Sequence, residues 1–470
     1  MFSLRKFSSA PTALWIFLLT LVAVSYQFFA VGLGGDSPLY AGVARHMFES
    51  GDFWHMYSGL PEFQPFAEHP HLGFWITAVF FKVFGVHDWS YRAVGQIFYF
   101  GSLGLTWRIV ARNLGRERAN VAVLLLWTWP LFSKYFANAY LDAGFIFFSL
   151  LAIELCLSGV ALAPFLGGIA LGVALLYKGT VGMALGPIFL VGLFGRFRMR
   201  DFACLVGGAL FPPLIYVALL SRAGYPEFIT QYLVSVSRRG SAISLRYFFE
   251  VRPYISIFEA TFGLVVIVPL LALWKRSRLR DLSPFAYAWV GIFAVAYVAT
   301  GRRGAQYWAT LMPCLAWIFA ACLPEKADLA WSEKLRGFSF LLALVLIPLS
   351  QLWPRPLRWK PDAFMESLRE TQLRENNDMV WIDTGEKIVE DFSNTGRLLW
   401  YSRIPEARYI QPGDDLPVAE AKAAFVLMRS ESNERDLERR NMDLTKFGWC
   451  LEFLSDDSRV SHWSACPQTP

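Results

Sequence analysis

Apolar blocks of about 16–22 residues recur along this chain, close to the length that crosses a hydrocarbon layer about 30 Å thick. They fall near 12–33, 89–110, 119–136, 143–158, 162–177, 180–195, 202–221, 255–274, 283–300, 307–324 and 337–353. The pattern predicts a polytopic α-helical membrane protein with about eleven transmembrane helices. Composition agrees: 55% of the 470 residues are hydrophobic and 17% charged, unlike an ordinary soluble globule.

Charge orients the spans. Arg5 and Lys6 precede the first, so the positive-inside rule places the N-terminus in the cytoplasm. The loops "RNLGRER" (112–118), "GRFRMR" (195–200) and "WKRSRLR" (274–280) are short, basic and alternate in agreement with it. An odd number of spans then puts the C-terminus outside. The first block lacks a convincing small-residue cleavage site and reads as an uncleaved anchor.

The character changes after about residue 354, which divides the chain into a membrane domain, 1–353, and a soluble extracytoplasmic α/β domain, 354–470. The tail holds 16 Lys+Arg against 21 Asp+Glu, whereas the rest of the chain is strongly basic. A helix pattern at 361–375 leads to strands at 379–382, 397–402 and 423–428, a charged helix from about 433, and a hairpin closing around 455–458. Cys156, Cys204, Cys314 and Cys322 fall in spans as packing residues. Cys450 and Cys466 flank the hairpin and could form a disulfide in an oxidising compartment.

Topology fixed by the basic loops places the unusual polar residues on one face. Asp36 follows the first span, and Glu68, His69 and His71 lie in the same outer loop. Asp142 sits between the third and fourth spans, Lys178 between the fifth and sixth, and Arg302 and Arg303 between the ninth and tenth. An ionisable group at membrane depth is costly unless it is paired or faces water, so this one-sided set marks a site. The stretch "LGFWITAVFFKVFG" (72–85) is too short to span and suits a helix lying in the interface. Pro70 fits its first turn, and Glu68 and His69 then stand at a helix N-terminus, where amide dipoles favour anions. The outer loop 221–254 carries Arg238, Arg239, Arg246 and Arg252; guanidinium forks match phosphate oxygens, although contact with anionic lipid is an equal reading.

A metal is the alternative use of "EHPH". Glu68, His69 and His71 could ligate a divalent ion with His46 or His55, but Pro70 and the following helix argue against a regular strand that would aim both histidines one way. No cofactor is required by the sequence. No phosphate-binding glycine motif follows a strand, so a nucleotide-sugar donor has no support. The basic runs are explained by topology and do not call for nucleic acid.

These residues resemble the GT-C superfamily of polyprenyl-phosphate-sugar glycosyltransferases, in the branch of the protein O-mannosyltransferases and the lipid A aminoarabinose transferase. The family's Asp-Glu followed by Tyr-Ala is similar to "DSPLYA", with Asp36 at the first acid and Ser37 at the second. Its Glu-Lys-Pro-Pro-Leu resembles "EHPHL", which keeps Glu68, Pro70 and Leu72 but carries His69 and His71. Asp142, the segment "LGVALLYKG" with Lys178 and Gly179, and "RRGAQYWATLMP" with Tyr307 and Pro313 continue the match in order, from residue 1 to about 320.

The resemblance implies transfer of a sugar from a polyprenyl-phosphate donor of the undecaprenyl type. The acceptor would be lipid A or another surface glycan, or a protein as the runner-up, at the outer face of a bacterial-type inner membrane. Asp36 would be the base and Glu68 would share that role or orient the sugar. His69, Asp142, Lys178, Arg246, Arg302, Arg303 and Tyr307 would serve the donor phosphate and sugar. A transporter or flippase is the rival class, although such sites favour the bilayer midplane and matched halves. A non-catalytic receptor or assembly protein is the third.

Overall fold

The computed structural model describes residues 33, 36–57, 66–129, 132, 136, 138–139, 141–179, 199–240, 289, 309–322, 379–383, 406–409, 424–428, 444–445, 449–454 and 460–465. Among these the helices are α1 (Ser37–Ser50), α2 (Leu72–Phe84), α3 (Asp88–Leu114), α4 (Arg116–Thr128), α5 (Leu141–Leu157), α6 (Ala163–Lys178), α7 (Met199–Arg222), α8 (Phe228–Gly240) and α9 (Met312–Cys322). The strands are β1 (Met379–Asp383), β2 (Glu406–Tyr409), β3 (Ala424–Met428), β4 (Trp449–Leu454) and β5 (Val460–Ala465). The expected spans at 12–33, 180–195, 255–274, 283–300 and 337–353 lie almost wholly outside the described residues.

The chain forms two compact units: Met1–Ala30, Glu68–Gly73 and Trp89–Arg355 in one, Val31–Ala67, Phe74–Asp88 and Pro356–Pro470 in the other. Helix α2 therefore begins in the first unit and continues in the second.

In the first unit, α5 and α6 are joined by only the residues 158–162, which makes them antiparallel neighbours. Glycines set how closely the helices approach, as expected where lipid removes the hydrophobic drive for association. A Cβ on Gly168 would stand 2.9 Å from Gly208 Cα, and one on Gly172 would stand 2.5 Å from the Ala209 carbonyl oxygen, so α6 and α7 meet backbone to backbone. Gly167 likewise faces Cys156 and Ala152 of α5. Among the described residues, α7 is the helix long and apolar enough to cross a membrane, and it leaves Leu210, Phe211, Leu214, Ile215 and Val217 exposed, a face suited to lipid. Helix α4 packs on α9. At the far end of α5 from Asp142, buried Glu154 accepts hydrogen bonds from Arg108 (2.9 Å) and Arg112 (2.8 Å) of α3, and Arg112 also donates to the Leu157 carbonyl at 2.5 Å.

In the second unit, α1 begins with Pro38 in its first turn and ends at Gly51, whose φ of 72° places it in the left-handed region as its N–H returns to the Met47 carbonyl. The following turn is organised by Asp52: Oδ1 accepts from the Trp54 and His55 backbone N–H groups at 2.9 and 3.0 Å. Trp54 then packs edge-on to Trp75, whose Nε1–H donates to the Phe53 carbonyl. The sheet has the order β2-β1-β3-β5-β4. β1 pairs parallel with β2 and β3, whereas β5 runs antiparallel to β3 and β4. The expected strand at 397–402 lies outside the described residues, and β2 forms at Glu406–Tyr409.

Candidate active site

The first unit brings together two of the charged residues singled out by sequence. Because α5 and α6 are antiparallel, the start of α5 lies beside the end of α6. Asp142 is in the first turn of α5 and Lys178 is the last residue of α6. Each charge is favoured by its own helix dipole, an anion at an N-terminus and a cation at a C-terminus. Lys178 Nζ donates to Asp142 Oδ1, with 6% and 3% of the two side chains exposed. The sequence reading put both in loops and gave no hint of the pairing. Their pairing offsets part of the cost of carrying each charge inward.

The start of α2 docks on this junction. A Cβ on Gly73 would lie 2.5 Å from Leu141 Cδ2 and 3.2 Å from the Tyr177 ring, so α2 contacts the residues that immediately precede Asp142 and Lys178. Gly144 also gives room to the Tyr177 ring, whose atoms a Cβ there would overlap. Gly179 closes α6 with φ +65° and lies against the Tyr232 hydroxyl and Pro70 Cδ. The turn entering α5 is held by α3: Tyr91 donates to the Ala139 carbonyl at 3.2 Å, and Gly95 gives room to Phe136 and Ala139.

Glu68 and His69 form the half-buried bend just before α2. Pro70 and His71 are buried. His71 Nδ1 lies 2.5 Å from the Tyr216 hydroxyl of α7, and its ring meets Phe228 of α8 edge-on at 4.4 Å. That engagement removes Nδ1 from the ligand set considered for a metal. His46 and His55 belong to the second unit. His55 bonds to Asp52, and His46 packs 4.9 Å from Tyr57, where burial holds its imidazole below the ordinary 6.5 against the opposing pull of Asp52 and Glu49. Among the described residues, no three His, Cys, Asp or Glu side chains gather as a metal group.

Asp36 lies in the second unit as the N-cap residue of α1; its carboxylate makes no capping bond, and its carbonyl accepts from the Tyr40 N–H at 3.1 Å. Arg246, Arg302, Arg303 and Tyr307 lie outside the described residues. Sequence reasoning missed Tyr177, Tyr216 and Tyr232, because a tyrosine within or beside an apolar span carries no signal of its partner.

Fold and site together give a helical membrane-type fold with an ion pair at the junction of helix ends. The family model described as dolichyl-phosphate-mannose-protein mannosyltransferase matches residues 68–220, which hold Glu68, Asp142 and Lys178. ArnT from Cupriavidus metallidurans, in a structure bound to undecaprenyl phosphate, is similar over 98% of this chain and 100% of its own, with a TM-score of 0.70 and 16% identity. The oligosaccharyltransferase AglB from Archaeoglobus fulgidus, in complex with an inhibitory peptide and a dolichol-phosphate, is similar over 98% of this chain and 75% of its own, with a TM-score of 0.57 and 12% identity. An uncharacterized protein of Aquifex aeolicus is 31% identical over 193 residues, which cover 38% of this chain and 43% of that protein. The chain thus shares the fold of ArnT and AglB, and the mannosyltransferase family model covers about a third of it, the stretch that holds Glu68, Asp142 and Lys178.

Proposed function

We propose that this protein transfers a sugar from a polyprenyl-phosphate donor of the undecaprenyl type to lipid A or another surface glycan at the outer face of a bacterial-type inner membrane. Asp36 takes the proton from the acceptor hydroxyl as that oxygen attacks the anomeric carbon. The bond from that carbon to the phosphate oxygen breaks, and the polyprenyl phosphate leaves. Glu68 shares the base role or orients the sugar.

The observation that carries this reading is the buried Lys178–Asp142 pair at the tip of α6, within a fold similar to that of ArnT bound to undecaprenyl phosphate. A phosphodiester donor carries one negative charge and its departing monoester gains another. A cation fixed beside it therefore stabilises the leaving group more than the ground state, which is the condition for catalysis. Asp142 already balances Lys178, so the additional charge calls for further cations, a role we assign to Arg246, Arg302, Arg303 and His69, with Tyr307 on the sugar or phosphate. The N-terminus is cytoplasmic and residues 354–470 form the extracytoplasmic domain in this reading. It is supported by Cys450, which is disulfide-bonded, since such bonds persist in oxidising compartments. Cys466, the expected partner, lies outside the described residues.

The test is transfer from a panel of polyprenyl-phosphate sugars by purified protein in liposomes, comparing wild type with Asp36→Asn. Transfer by wild type and its loss in a folded variant support the assignment; robust transfer by the variant moves the base role to Glu68. The family match at 68–220 favours a protein acceptor as the second reading. Presenting protein and lipid A acceptors side by side separates the two.

A further inference from the structure

Helix α2 begins at Leu72, directly after the buried His71. The first N–H groups of a helix have no partner within it, and Ser, Thr, Asp or Asn usually supplies one; here His71 precedes Leu72. His71 itself has a partner on another helix. The Tyr216 hydroxyl makes a backbone hydrogen bond with His71 and lies 2.5 Å from His71 Nδ1. The phenol oxygen can both donate and accept, so it bonds Nδ1 in either tautomer of the ring while it also meets the backbone.

The surroundings leave the ring no alternative place. His71 is 0% exposed and is walled by Phe228, which also contacts Tyr225 at 5.8 Å and stacks on Tyr232 at 6.3 Å. Tyr232 in turn reaches Gly179, the residue after Lys178, and Pro70 meets the same glycine. One connected set of side chains from the bend before α2, from α7 and from α8 thus reaches the tip of α6.

Resting on the reading above, we propose that His71 and Tyr216 are a positioning pair that holds Glu68 and His69 in register with Lys178 for sugar transfer. Neither touches the reacting atoms. The pair sets where the bend stands, so its loss lowers kcat through misplaced groups and leaves KM for the donor less affected.

The experiment compares wild type, Tyr216→Phe, His71→Ala, His71→Asn and the double variant His71→Ala/Tyr216→Phe as full-length protein in nanodiscs. Two readouts are taken: transfer kinetics with the polyprenyl-phosphate sugar that wild type uses, and amide hydrogen exchange over 68–73. A lost buried hydrogen bond predicts about a ten-fold fall in kcat for Tyr216→Phe and for His71→Ala, and a double variant no worse than either single one. His71→Asn keeps a hydrogen-bonding group near the Nδ1 position and restores most of kcat. Exchange at His71 rises about ten-fold in Tyr216→Phe, while α6 is unchanged. Additive losses, a loss confined to KM, or failure of Asn to rescue would overturn the pair. Unchanged exchange in Tyr216→Phe overturns it even if wild type transfers no sugar, an outcome that by itself refutes only the underlying reading.

Discussion

Lys178 and Asp142 form an ion pair buried between two consecutive antiparallel helices, each residue at the helix end whose dipole suits its charge. Removing one member leaves an uncompensated buried charge, which costs about 3–5 kcal/mol. Lys178→Met and Asp142→Leu are therefore each expected to lower the thermal midpoint of the purified protein strongly. The double variant Asp142→Leu/Lys178→Met regains most of that stability, because a buried pair replaced by apolar groups is often neutral. Sugar transfer does not return with it, since the cation is absent. Thermal unfolding and transfer measured on the same samples check both halves.

Gly144 gives a second prediction. Its missing Cβ is the space filled by the Tyr177 ring beside Lys178. Gly144→Ala overpacks the α5–α6 contact, with an expected cost of about 1–3 kcal/mol. Shaving the ring in Gly144→Ala/Tyr177→Leu recovers part of it, which a melting series would show. An equal loss in both variants would mean the glycine serves something other than that ring.

The Asp52 turn predicts a pH dependence of local stability. Partial burial works to raise the Asp52 carboxyl, but the His55 and Trp54 N–H groups and the His55 ring outweigh it and hold the group below its ordinary 3.8. A depressed folded pKa means the stabilisation is complete above 3.8 and is lost as pH falls through the lower folded value. Amide exchange at Trp54 and His55, corrected for intrinsic rates, should accelerate in that acid window. In Asp52→Asn the acceleration disappears.

Glu154 separates two arginines that look alike in sequence. Arg108 is 62% exposed and makes one bond to Glu154, whereas Arg112 is 35% exposed and bonds both Glu154 and the Leu157 carbonyl. Arg108→Ala should cost no more than about 1 kcal/mol, the scale of an exposed pair. Arg112→Ala should cost about 1–3 kcal/mol, because it strips a partner from buried Glu154 and a second bond to the Leu157 carbonyl. Paired melting curves decide the order.

Much of the helical plan was legible because apolar runs have to match a bilayer: the spans expected at 89–110, 143–158, 162–177 and 202–221 correspond to α3, α5, α6 and α7. The short run at 72–85 corresponds to α2, and the run at 379–382 to β1. Asp142 and Lys178 were visible as charges in the wrong solvent. Their pairing was not, because it depends on two helices running antiparallel and on Gly73 and Gly144 admitting Tyr177 between their neighbours. His71 was read through its neighbours Glu68 and His69 as a metal candidate; only the approach of Tyr216, 145 residues along the chain, shows that its Nδ1 is engaged.

The most direct measurement is binding of undecaprenyl phosphate to nanodisc-embedded protein, comparing wild type with the stable Asp142→Leu/Lys178→Met variant. If the junction receives the donor phosphate, wild type binds saturably and the variant at least about ten-fold more weakly, the scale of a lost charge-assisted hydrogen bond. Equal affinities in two folded proteins would contradict a phosphate site at Lys178.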